Sequence, residues 1–152
     1  MRRYLLDTGS ASDCINRRAG VHVRARDVTE RGDRLGTGMP VVGELFAGVE
    51  LSASRDKNRP RLVRGLNAFF LWPFDRAAAE EYGRIFAALR RLGRPMQQID
   101  IQIAAIALSL GNCTVVSKDS DLAAVPGLVV ENWSVLRRNA GRVRCPDENE
   151  GL

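Results

Sequence analysis

Short apolar runs alternate with longer amphipathic stretches along this chain. Tyr4-Leu5-Leu6 is closed by Asp7 and followed by the small pair Gly9-Ser10, which reads as a short buried strand running into a turn. Ala11 to Arg18 predicts a short helix with Ile15 facing in, whereas Val21 to Arg31 is mixed in charge and only weakly periodic. After a turn at Gly32-Asp33-Arg34, Leu35 to Met39 makes a weak strand, diluted by Gly36 and Gly38. Pro40 suits a first helical turn, and Val41, Val42, Leu45, Phe46 and Val49 form the apolar stripe of that helix. Glu44 falls inside it beside apolar neighbours, a position not obviously on a wet face.

The second half repeats the alternation. Ser52 to Asn67 is helical and strongly basic, and Phe69 to Trp72 is an apolar strand stopped by Pro73. Asp75 caps a helix whose stripe is Ala78, Tyr82, Ile85, Leu89 and Leu92, ended by Gly93-Arg94-Pro95. Ile99, Ile103, Ile106 and Leu110 give the clearest helical period, with Gly111 as its stop. Cys113 to Val116 is a buried strand, and Leu128 to Val130 a last one after the Pro126-Gly127 turn. Strands alternating with helices predict a three-layer α/β/α fold around a mainly parallel sheet of about five strands. One domain over residues 1–136 and a loose polar tail over 137–152 complete the expected organisation.

Composition narrows the function classes. No apolar run is long enough to span a bilayer, and Asp7 interrupts what would be a signal-peptide core after Met1-Arg2-Arg3, so a cytoplasmic protein is expected. Cys14, Cys113 and Cys145 are an odd number without paired spacing and fit reduced thiols. His22 is the sole histidine, too few for a Cys/His zinc site, and no nucleophile elbow accompanies it. The formal charge of +5 favours polyanions, with nucleic acid the commonest of them.

The candidate chemistry lies in acids. Asp7 ends the first strand, Glu44 sits in the Pro40 helix, and Asp100 lies in a first helical turn. Asp119 and Asp121 follow the Cys113–Val116 strand. In an open α/β sheet, ligands bind beyond the carboxyl ends of the strands. Each acid also has an ordinary explanation: a turn acceptor at Asp7, a solvated face at Glu44, a helix-dipole partner at Asp100, turn residues at Asp119 and Asp121. If they converge, they cannot all stay ionised without a cation. Mg²⁺ or Mn²⁺ would supply it, and a carboxylate-held metal on a basic protein points to phosphodiester chemistry. Side chains alternate across a strand, and the first residues past its end still lie over the sheet edge. This favours Asp119, two beyond Ser117, as the fourth acid and leaves Asp121 to cap the following turn or to act through a metal-bound water.

These motifs, taken in order, resemble the PIN domain family. Leu5-Leu6-Asp7-Thr8 looks like its opening, and Pro40-Val41-Val42-Gly43-Glu44-Leu45 with Gly48 its second acidic motif. Asp100-Ile101-Gln102-Ile103-Ala104-Ala105, preceded by Gly93-Arg94-Pro95-Met96, resembles its third. Val115-Val116-Ser117-Lys118-Asp119 resembles the fourth, and Pro126-Gly127-Leu128 to Glu131-Asn132-Trp133 the usual close. The match runs from about residue 3 to residue 134. Size and layout resemble VapC toxins of bacterial VapBC modules, Mg²⁺-dependent endoribonucleases held inactive by a VapB antitoxin. The resemblance implies Asp7, Glu44, Asp100 and Asp119 as catalytic acids. Asp7 and Asp100 would hold the metal, with Glu44 and Asp119 binding it directly or through water. Thr8, Ser117 and Asp121 would support those carboxylates from behind. It also implies an antitoxin partner, an RNA substrate and a homodimer. Gly9 departs from the Asn common in relatives but removes no acid.

Two other functions compete. A haloacid-dehalogenase-type phosphatase also places an Asp after its first strand but needs a second Asp two residues on, where Gly9 stands. A PIN-like binding module without metal would have no need of all four acids. The basic run Arg55, Lys57, Arg59, Arg61 and Arg64 is either a solvated helix face or an RNA-binding surface beside the acids. Phe69, Phe70, Trp72 and Tyr82 read as core.

Overall fold

The computed structural model describes residues 1–135. The 137–152 tail and Cys145 lie outside that range. Five strands form one sheet: β1 (Arg3–Leu6), β2 (Arg34–Gly38), β3 (Phe70–Trp72), β4 (Cys113–Val116) and β5 (Val129–Glu131). Six helices accompany them: α1 (Thr8–Ile15), α2 (Val21–Glu30), α3 (Met39–Leu51), α4 (Arg55–Asn67), α5 (Arg76–Arg91) and α6 (Gln98–Leu110). A short 3-10 turn over Ser120–Ala124 precedes β5. The strand order is β3-β2-β1-β4-β5, and every pairing is parallel. The expected sheet was mainly parallel; the observed one is wholly so.

The chain winds outward from β1 through β2 to β3, then returns across the sheet to β4 on the other side of β1. The winding therefore reverses between β1 and β4, where Leu6 pairs with Val116. Crevices in doubly wound sheets open at such a reversal. Tyr4, Leu5, Leu6, Val115 and Val116 are buried there, at about 1.5–3 kcal/mol for each large apolar side chain. Trp133 closes the core against Tyr4, with ring centroids 5.2 Å apart.

Several local expectations change. The supposed turn at Gly9-Ser10 is the first turn of α1, which begins at Thr8 and not at Ala11. The weakly periodic stretch after Val21 is a full helix, with Val21, Ala25 and Val28 buried. In α6 the single stripe understates the burial: Ile101, Ala104, Ala105 and Ala107 are buried too, because the helix is covered on nearly every side. Leu92 caps α5 and is exposed. Phe70 is not core either. It lies 48% exposed on the edge strand, with the Arg34 guanidinium 5.1 Å from its ring centre.

The two glycines that weaken β2 on paper are required by packing. A Cβ on Gly36 would stand 2.0 Å from the Phe70 carbonyl oxygen, and one on Gly38 would meet Ile106 Cδ1 at 2.7 Å. Gly43, within α3, has open space around it. We expect Gly36→Ala to destabilise the protein by at least about 1–3 kcal/mol through overpacking. Gly43→Ala should stabilise it by about 0.5–1 kcal/mol, the usual difference in a helix interior. Urea melts of the two variants check both signs.

Candidate active site

Three chain segments leave the sheet at its carboxyl edge, and each carries an acid. Asp7 follows β1 directly. Its N–H continues the ladder by donating to Val116 O at 3.0 Å, and its Oδ1 accepts from Ser10 N at 2.8 Å. It is thus the N-cap of α1, a role that Asp fills well. One carboxylate oxygen is spent on the cap; the other accepts no hydrogen bond among the described residues. The smallness of Gly9 and Ser10 is compatible with a helix start as well as with a turn, which is why the sequence read ambiguously here.

Glu44 lies in the second turn of α3, beyond the end of β2. It is exposed, contrary to the drier setting its apolar neighbours implied. Its position is fixed across the edge by Thr8, whose hydroxyl donates to Glu44 Oε2 at 2.6 Å. Thr8 therefore fixes the Glu44 carboxylate.

Beyond β4, Ser117 is buried and its N–H donates to Glu131 O at 3.0 Å. Its hydroxyl accepts the Asp119 N–H at 2.9 Å, so it fixes the backbone of Asp119 and bonds no carboxylate among the described residues. Asp119, not Asp121, caps the 3-10 turn: Asp119 Oδ1 accepts the Asp121 N–H at 2.8 Å. The capping role expected of Asp121 thus falls to Asp119, because the turn begins at Ser120, two residues before the Leu122-Ala123-Ala124 run.

Asp100 arrives from the first turn of α6 and is half-buried. Its carboxyl is raised above the ordinary carboxylate range, first by burial, then by the charges of Asp119, Asp7, Glu44 and Asp121. The five acids are therefore electrostatic neighbours. No Lys or Arg among the described residues forms a salt bridge with any of them, although the chain holds 23 Lys and Arg against 18 Asp and Glu. No three of them are drawn close enough to form a finished ligand cage. An all-oxygen, uncompensated donor set of this looseness suits a hard divalent ion that keeps several of its waters.

A groove of about 790 Å³ leads away from Thr8 and Glu44 between α1, α3 and α4. Arg18, Asn16, Asn58 and Arg61 give it polar and cationic walls. Of the five basic residues singled out on α4, Arg61 alone lines this groove; it also lies within 3.5 Å of Asn16 Oδ1. Arg55 pairs with Glu50 at 2.7 Å, Arg59 lies over the Phe46 ring at 5.9 Å, and Lys57 and Arg64 are exposed away from the groove lining. Arg18 and Asn16 were missed in the sequence because the loop after α1 carries no periodic signal. Cys14 and His22 line another small pocket together, but burial pushes the Cys14 thiol up to about 11, so it is no thiolate at neutral pH. The Cys113 thiol is raised to about 12 for the same reason.

Comparison with known proteins places the chain by sequence and by fold. The family model described as PIN domain matches residues 4–128. The tRNA(fMet)-specific endonuclease VapC of Shigella flexneri is 30% identical over 134 residues, covering 88% of this chain and all of that protein. A DNA-bound VapBC structure from Salmonella typhimurium superimposes with a TM-score of 0.79 at 26% identity, covering 88% of this chain and 99% of that one. VapBC2 from Rickettsia felis, bound to a promoter DNA fragment, gives 0.81 at 23% identity over 87% and 99% of the two chains. The chain belongs to the PIN domain family, in its VapC branch.

The raised Asp100 carboxyl has a thermodynamic consequence. Its folded pKa exceeds its unfolded one, so the folded state binds more protons between the two, and stability falls as pH rises through that window. Above the folded pKa the penalty is complete. In EDTA at pH 7, Asp100→Asn should therefore melt above the wild type, and the difference should vanish below about pH 4, where both forms are uncharged. A lower melting temperature for the variant at pH 7 would contradict the electrostatic account.

Proposed function

We propose that this protein is the toxin of a type II toxin–antitoxin module and acts as a divalent-metal-dependent endoribonuclease. One observation carries the reading: a cluster of acids at the reversal of a parallel sheet, without a salt bridge to any cation among the described residues, opens into a groove walled by Arg18 and Arg61. Asp7 and Asp100 hold the ion in this reading, with Glu44 and Asp119 bound to it directly or through water. When bound, such an ion neutralises charge on the phosphodiester and lowers the pKa of a coordinated water.

The chain's own side chains do the rest. Thr8 fixes Glu44, while Ser117 and the Asp119 cap hold the β4 exit loop in place. Arg18 and Arg61 receive RNA phosphates along the groove, where a guanidinium can bind two phosphate oxygens at once. Asp121 lies one step behind the ligands. The Shigella relative is named for tRNA(fMet), which makes that RNA the first substrate to try. The VapBC relatives support a VapB-type antitoxin as partner. No described helix is long and apolar enough to cross a membrane, in keeping with action on cytoplasmic RNA.

The test is cleavage of tRNA(fMet) and of an unstructured RNA with Mg²⁺ or Mn²⁺. Asp7→Asn, Asp100→Asn and Asp119→Asn should each lose more than about a hundredfold in rate, whereas Asp121→Asn should lose about tenfold or less. Melting temperatures serve as the folding control. Undiminished cleavage in excess EDTA would sink the metal reading. A larger loss in Asp121→Asn than in Asp119→Asn, at equal stability, would exchange the roles of those two residues.

A further inference from the structure

Asp13 belongs to none of the roles above, yet it is tied to the site from two sides. It lies on α1, six residues after Asp7, with its side chain only 13% exposed. Lys118 Nζ stands 2.6 Å from Asp13 Oδ2. That oxygen is buried, and no well-aligned hydrogen-bond donor reaches it among the described residues, so Lys118 is held there by charge. The other oxygen faces Arg18 Nε at 3.6 Å, and Arg18 also donates to Ser12 Oγ at 3.0 Å.

Lys118 is the residue between Ser117 and Asp119. Its side chain is half exposed, an ammonium on a flexible four-carbon stem. A cation tethered one residue from a site acid has a high effective concentration at that site. It would neutralise the acids as a metal does and so compete with one. Yet it pairs with none of them; it crosses to α1 and ends on Asp13.

We infer that Asp13 is a positioning residue: it holds the Lys118 ammonium against α1 and thereby keeps a tethered competitor out of the acid cluster. The inference rests on reading that cluster as a cation site. It also gives Asp13 a second effect, since the same carboxylate holds Arg18 at the groove wall.

Two measurements on the full chain test this. The first is Mn²⁺ affinity, followed by the electron paramagnetic resonance signal of the free ion. Asp13→Asn should weaken Mn²⁺ binding about tenfold, the lower end of what supporting residues of metal sites contribute. The double variant Asp13→Asn/Lys118→Met should return to within about twofold of the wild type, because the competitor is gone. A purely structural role for Asp13 predicts instead that the double variant binds as weakly as the single one, and that result overturns the inference. So does unchanged affinity in Asp13→Asn.

The second measurement needs no metal. Carbodiimide cross-linking, read by peptide mass spectrometry, should join Lys118 to Asp13 in the wild type. In Asp13→Asn it should join Lys118 to Asp7, Asp100, Asp119 or Asp121. If no such new link forms, the inference falls. If the wild type binds no Mn²⁺, the metal reading of the site fails, and the cross-links alone decide where the lysine goes.

Discussion

Carboxylates repel one another, and the half-buried Asp100 registers that repulsion in its raised pKa. A fold that gathers Asp7, Glu44, Asp100, Asp119 and Asp121 at one sheet edge works against its own stability, so something must hold them. The restraint comes from the chain segments that carry them. Parallel pairing places the ends of β1 and β4 side by side, and caps at Asp7 and Asp119 turn each acid into part of its own backbone geometry. Thr8 bonds Glu44 across the edge. These hydrogen bonds from uncharged donors do what salt bridges do elsewhere, and among the described residues no cation pairs with the negative charge they hold.

The basic side chains are distributed to match. A chain with an excess of Lys and Arg could have neutralised the cluster at little cost, and its paired cations among the described residues are instead spent elsewhere. Arg55 pairs with Glu50, Arg31 with Asp33, Arg76 with Glu80, and Lys118 with Asp13. Arg18 and Arg61 face the adjoining groove. Acids that pair with no cation among the described residues, beside a cationic wall, form the arrangement that a metal ion and a polyanion together complete. A surface drawn only by solubility would mix the two signs more evenly.

Much of this was legible in the sequence, for physical reasons. Tyr4-Leu5-Leu6 and Val115-Val116 are buried on both faces, so they read as unbroken apolar runs, and the acid after each run had to fall at the carboxyl edge. What stayed hidden depended on contacts between elements. Helix α2 shows little period because only three of its positions, Val21, Ala25 and Val28, are buried. Glu44 looked dry because its neighbours are apolar, yet those neighbours turn to other helices. Gly36 looked like a weakness in β2, whereas its missing Cβ admits the Phe70 carbonyl. Asp13 is one acid among many in the sequence, and only the approach of β4's exit loop to α1 gives it meaning. The family pattern, unlike periodicity, pointed to all four acids at once, because it encodes which edges meet.

The central claim is that these acids form one cation site. The direct measurement is the anomalous difference map of a crystal of the wild-type protein grown or soaked with Mn²⁺. The account predicts a peak at the β1–β4 reversal, about 2.0–2.2 Å from carboxylate oxygens of both Asp7 and Asp100, with waters completing the shell. A peak held by other side chains, or none at an Mn²⁺ concentration that supports RNA cleavage, would contradict it.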